Sequence, residues 1–140
     1  MRTIGEMIKL GQSLVPATLS STTSGETVVD TKGADNVCWL ILAGNGTFGG
    51  GAPETYSFQI HESDNSDGSS SSAITGAVAA ITADNQTKKI QVSGLGTGSR
   101  KRYQFCRLTA AGSSPSLPCA AVALLGPSMY NPAEDNTVSV

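Results

Sequence analysis

The chain has 140 residues, 39% of them hydrophobic and only 14% charged, with a formal net charge of −2. That length suits one domain built on a single core, and so mild a charge excludes any global pull toward nucleic acid. Gly, Ser, Thr, Ala and Asn occupy the places that Glu, Lys and Leu fill in a helical bundle, so the composition points to an all-β protein with many turns.

From the N-terminus, Thr3 and Glu6 have the spacing of a capping box. Ile4, Met7 and Ile8 then share one face, and Gly11 closes the turn. This predicts a short amphipathic helix or an extended arm over residues 1–11, too short to stand alone and bound to dock on its own chain or a neighbour's. Glu6 and Lys9 interrupt any apolar run of the kind a secretory leader needs.

Residues 14–19 read as a weak strand at a sheet edge, because Pro16 lies inside it. A polar turn leads to a second strand at 26–31. Residues 37–43 are apolar at almost every position and predict a strand in mid-sheet. A loop with five glycines follows at 44–53. Residues 55–62 alternate, with Tyr56, Phe58 and Ile60 inward and Ser57, Gln59 and His61 outward. The polar run 63–72 is a turn. A small-residue strand is expected around 77–81, and an alternating one at 88–93 with Ile90 and Val92 inward.

Two apolar strands, 100–110 and 117–126, dominate the end of the chain. The second contains Cys119-Ala120-Ala121-Val122-Ala123-Leu124-Leu125, with no polar side chain. Such a strand is buried on both faces, so its second face needs a cover, either more of the same chain or a partner. The tail, 127–140, has two prolines and reads as irregular. In sum, about eight strands with turn signals between them predict an antiparallel β-sandwich of jelly-roll or immunoglobulin-like type. The expected organisation is an N-terminal arm at 1–20, the sandwich at 21–126 and a C-terminal tail at 127–140.

The chemistry-bearing motifs are weak. Gly44-Asn45-Gly46-Thr47-Phe48-Gly49 matches a dinucleotide fingerprint, but the glycines and Pro53 that follow forbid the helix that would hold a pyrophosphate. The oxygen-rich run Glu62-Ser63-Asp64-Asn65-Ser66-Asp67-Gly68 lacks the first and twelfth ligands of a calcium loop. His61 is the single histidine, placed on a solvent face with no nucleophile elbow elsewhere. The cysteines Cys38, Cys106 and Cys119 form no metal-binding spacing, and three is a poor number for a disulfide framework. They read as buried thiols of a reducing compartment, with pairing of Cys106 and Cys119 open if register permits. No apolar run approaches the roughly 20 residues of a membrane span. No catalytic residue, metal or cofactor is expected.

Six of the nine basic residues, among them Arg100 and Arg102, lie between 88 and 107, while Glu54, Glu62, Asp64 and Asp67 come earlier. That asymmetry suits edge-strand protection or a complementary contact between identical subunits. Residues 62–68 leading to Ile74-Thr75-Gly76-Ala77, with Arg100-Lys101-Arg102-Tyr103, Ala121–Gly126 and Val29-Asp30-Thr31-Lys32-Gly33, together resemble small structural proteins of tailed bacteriophages over about 26–132. The resemblance implies a head decoration protein on the capsid exterior, made in the host cytoplasm. It would clamp major capsid subunits and associate with itself, as a trimer or else a dimer. A tail or neck component and a carbohydrate-binding sandwich are the alternatives. The candidate partner contacts are Ile4, Met7, Ile8 and Leu10 in the arm, Arg100 and Arg102, and Met129 and Tyr130 in the tail; neither nucleic acid nor membrane is an expected partner.

Overall fold

Hairpin-like pairing organises the chain. The computed structural model describes residues 8–49, 51–126 and 137–139. Its strands are β1 (Lys9–Leu19), β2 (Val29–Asp30), β3 (Asn36–Ala43), β4 (Thr55–Ser63), β5 (Ser72–Ile81), β6 (Thr87–Val92), β7 (Tyr103–Ala111), β8 (Leu117–Gly126) and β9 (Thr137–Ser139). β1 pairs with β8, β2 with β7, β3 with β6 and β4 with β5, all antiparallel. Rolling these nested pairs together gives one sheet ordered β1-β8-β3-β6 and a second ordered β2-β7-β4-β5. That is the jelly-roll order, and it decides between the two sandwich topologies left open by the sequence.

The core forms where period-two alternation turns large side chains inward. Val37, Trp39 and Ile41 of β3, Tyr56, Phe58 and Ile60 of β4, Ile90 and Val92 of β6, and Leu117, Ala121 and Ala123 of β8 meet between the sheets. Trp39 is fully buried and its Nε1 donates to Gln104 Oε1 at 3.4 Å. β5 bends at Gly76, where φ is +83°, and the register against β4 slips. The Gln59 side chain fills that bulge, its Nε2 donating to the carbonyls of Ile74 and Ala77 at 2.8 and 3.0 Å. Glycine is needed there because only it takes that backbone angle without strain.

Several expectations change. The predicted helix or arm at 1–11 is extended where it is described: residues 9–19 are the edge strand β1, running along β8 from Lys9↔Leu125 to Leu19↔Leu117. The capping residues Thr3 and Glu6 lie outside the described residues; from Lys9 on, pairing with an apolar central strand holds the chain extended. The strand expected at 26–31 shrinks to Val29–Asp30, because Ser13 of β1 takes the next β7 donor, the Cys106 N–H, on its hydroxyl, and the chain rejoins the β7 edge only at Thr23 and Thr22. The tail is not irregular throughout, since residues 137–139 add to β6 as a parallel strand. Finally, strands 100–110 and 117–126 are not sheet neighbours: β7 and β8 lie in opposite sheets, and Cys106 and Cys119 are both free thiols.

Candidate functional site

The two outer faces of the sandwich differ in kind, and the difference begins in the strands. On β8 the odd positions 117–125 face the core, so Pro118, Ala120, Val122 and Leu124 point out. On β3 the inward set is Val37, Trp39 and Ile41, so Cys38, Leu40 and Leu42 point out. Register aligns these outward residues in rows: Leu10, Leu124 and Cys38; Gln12, Val122 and Leu40; then Ala120 and Leu42. Lys89 opposite Leu40 and Gln91 opposite Cys38 form the polar margin on β6. The result is an apolar sheet face. Leu10 is 66% exposed and Leu42 44%, whereas Leu40, Cys38, Val122 and Leu124 are half-buried. At one end the face opens into a groove of about 510 Å³ lined by Pro16, Ala17, Leu42, Pro118 and Ala120. Contiguous apolar surface of this kind marks an interaction site on a soluble protein.

On the opposite sheet the outer face of β7 and β4 around Phe105 is covered by its own chain, while β5 leaves Val78 exposed. Phe105 points outward from β7 yet is only 3% exposed. His61, its cross-strand partner on β4, stacks on it at 5.3 Å between ring centroids, and the Arg107 guanidinium lies 5.2 Å from the same ring. Residues 22–28 and the turn at 63–70 complete the cover: a Cβ on Gly68 would stand 2.9 Å from Val28 and 3.2 Å from Phe105. Glu26 fastens this strap, accepting from Arg107 Nε at 3.0 Å, Arg107 Nη2 at 3.2 Å and Thr23 Oγ1 at 2.7 Å. Burial alone would raise the Glu26 carboxyl, but these hydrogen bonds prevail and leave it below the usual carboxylate range. His61 is therefore not the open surface histidine the alternation predicts. Burial, reinforced by the Arg107 charge, holds its pKa below the ordinary value.

The sequence-derived contacts divide. Ile4, Met7, Met129 and Tyr130 lie outside the described residues. Ile8 is half-buried just before β1, and Leu10 belongs to the apolar face. Arg102 lies on Asp30, and its hydrogen bonds, with a smaller contribution from the Lys9 charge, hold that carboxyl well below the usual carboxylate range. Arg100 and Arg102 are both already engaged. Arg102 forks onto Asp30 at 2.7 and 2.6 Å, and Arg100 faces Glu62 at 3.7 Å. Lys101 likewise meets Asp64 at 3.4 Å. Arg100 and Lys101 thus join the basic run to Glu62 and Asp64 of the acidic run within one chain, whereas Arg102 and Arg107 pair instead with Asp30 and Glu26. The outward residues of β3 and β8 went unnamed as contacts, although their missing alternation was the signal that could have found them.

The other motifs have structural work. In the glycine loop, the N–H of Gly46 donates to Asp84 at 2.8 Å and that of Thr47 to the Ser116 carbonyl at 2.9 Å, and no helix follows. In the oxygen-rich turn, Ser63, Asn65 and Asp67 spend their side chains on Ser69. Among the described residues no group of three His, Cys, Asp or Glu is placed to hold a metal. The buried carboxylates Glu54 and Glu62 stand eight residues apart along β4. At the rise of an extended strand that is about 27 Å, far beyond the spacing of a glycosidase pair. No protein-family model matches this sequence, and no curated protein is detectably similar to it.

Proposed function

We propose that this protein is a structural component of a tailed-phage virion, specifically a head decoration protein that bridges neighbouring major capsid subunits without catalysis. The observation that carries this reading is the apolar outer face of the β1-β8-β3-β6 sheet, from Leu10 through Leu124, Val122 and Leu40 to Leu42. A sandwich that covers the β7 and β4 part of one outer face with its own Glu26, Arg107 and Phe105 contacts, and leaves the other face greasy, is built to be covered by a partner. The jelly roll is an architecture used by viral shell proteins, although lectins share it, so the fold adds only analogy. The segments behind the phage resemblance are all framework: Asp30 clamps Arg102, Gly76 makes the β5 bulge, and residues 121–126 are the apolar strand. For a sugar-binding module, the natural stacking platform would be Trp39, and it is buried in the core.

The test uses heads of the encoding phage prepared without this protein. Purified protein is mixed with them, sedimented, and the heads are heated. Saturable binding, with release of the genome moved to higher temperature, is the expected result. Heads that bind none of it, or heads already complete, would overturn the assignment.

A further inference from the structure

β9 stands outside the eight-strand roll. It pairs with β6 in the same direction, Lys89 with Thr137, Ile90 with Val138 and Gln91 with Ser139, and it also approaches β5. The β6 edge is thus a strand-accepting edge with a defined register. β8 ends at Gly126, level with Asn36 on β3, whereas β9 begins beside Lys89, which is level with Leu40. Within one chain, the step from β8 to β9 passes two intervening strands, about 14 Å sideways, and runs back about 13 Å, so the ends are roughly 20 Å apart. The ten residues 127–136 join them. Fully extended, that length reaches about 36 Å, which leaves slack of about 15 Å. A three-residue parallel pairing holds its strand weakly, and nothing in the register requires donor and acceptor to share a chain.

We propose that the β6 edge is a docking site for the C-terminal strand of a second copy of this chain, so that copies are linked by exchange of β9. The occupant follows from the register already observed, because an identical copy carries the one segment known to fit, and from a connection long enough to reach past its own edge. Each copy donates at one place and accepts at another. Such a head-to-tail contact closes into a ring when the rotation permits. The proposal stands apart from any capsid and concerns the protein in solution.

Two single variants in a Cys38→Ser background test it, Gln91→Cys in one and Ser139→Cys in the other. Mixed, allowed to exchange and oxidised, they are expected to give a disulfide-linked heterodimer that reduction abolishes. A chain carrying both substitutions should form links between chains. Links confined to single chains, and no heterodimer from the mixture, would overturn the proposal. A chain ending at Gly126 adds an independent measurement: it should keep its far-ultraviolet circular dichroism and fall to the mass of one chain by light scattering. An unchanged oligomer after truncation, or a full-length chain that is monomeric, would equally refute strand exchange.

Discussion

The Glu26–Arg107 ion pair helps fasten residues 22–28 over the β7 face, beside the backbone bonds of Thr23 and Thr27, and replacing Arg107 by Met should show how much it adds. The Glu26 side chain is 2% exposed and Arg107 33%. Removing one partner from a fully buried pair costs about 3–5 kcal/mol, most of it from the charge left behind. Water reaches one third of Arg107, and Thr23 still donates to Glu26, so a loss of about 2 kcal/mol is expected. That should lower the urea midpoint by about 1 M for a domain of this size. Glu26→Gln removes the charge but keeps one acceptor, for a loss of about 1 kcal/mol. The double variant should lose well under the sum, giving a coupling of about 1 kcal/mol at neutral pH. The sign with pH is a further check. Without Arg107, burial dominates at Glu26 and its folded pKa rises above the unfolded value. Arg107→Met should then gain stability as pH falls toward 5, unlike the natural chain. Additive losses, with no difference in pH slope, would show that the pair does not fasten the strap.

Three other outcomes follow from the same geometry. His61 has a folded pKa held below its ordinary 6.5 by burial and then by Arg107; the unfolded chain therefore binds the proton first, and stability should decline as pH falls below about 6.5, a slope that His61→Gln should flatten. In the native protein, Cys38 should label first with a neutral thiol reagent, since burial raises the Cys119 thiol to about 11 and drives that of Cys106 higher still; equal rates for all three would contradict the placement of Cys106 and Cys119 in the core. If the proposed capsid contact uses this face, replacing both Leu10 and Leu42 by Ser should weaken it by about 50-fold, because covering their exposed 66% and 44% is worth about 2.5 kcal/mol together. The same variant should melt within a few degrees of the natural chain, and a melt lowered by tens of degrees would mean these leucines are core.

What could be read from the residues was whatever alternation or its absence encodes. Tyr56, Phe58 and Ile60 point inward as their spacing demands, and Ile90 and Val92 do the same. The unpatterned runs in β3 and β8 did mark central strands, flanked on both sides in their sheet. Long-range pairing was not legible. Nothing local in residues 1–11 says that β8 will take residues 9–19 as a neighbour, so a capping signal suggested a helix instead. Nor does proximity in sequence place β7 and β8 in opposite sheets. His61 was misplaced for the same reason: alternation sends it outward, but the strap that covers it comes from residues 22–28, more than thirty positions earlier. The charge runs likewise revealed complementarity but not that Arg102 and Asp30 belong to one chain's own register, set by the β2 and β7 pair.

The apolar face explains why β3 and β8 abandon alternation, whereas their neighbours do not. β6 presents Lys89 and Gln91 outward, whereas on β1 Gln12 stands beside the exposed Leu10 and Val15, so the apolar surface runs from the β1 edge across both central strands and meets a polar margin on β6. A sheet face that met only water would gain solubility from polar residues on β3 and β8. A contiguous apolar face bordered by polar residues on one side is the kind of surface that marks a protein interface. Folding does not require it: the inward sets of both sheets already fill the space between them with Trp39, Phe58, Ile60 and Leu108 fully buried. Under the proposed reading the surplus on the far side of β3 and β8 is the partner contact, and charged replacements at Leu40 or Val122 should then abolish partner binding while leaving the sandwich folded.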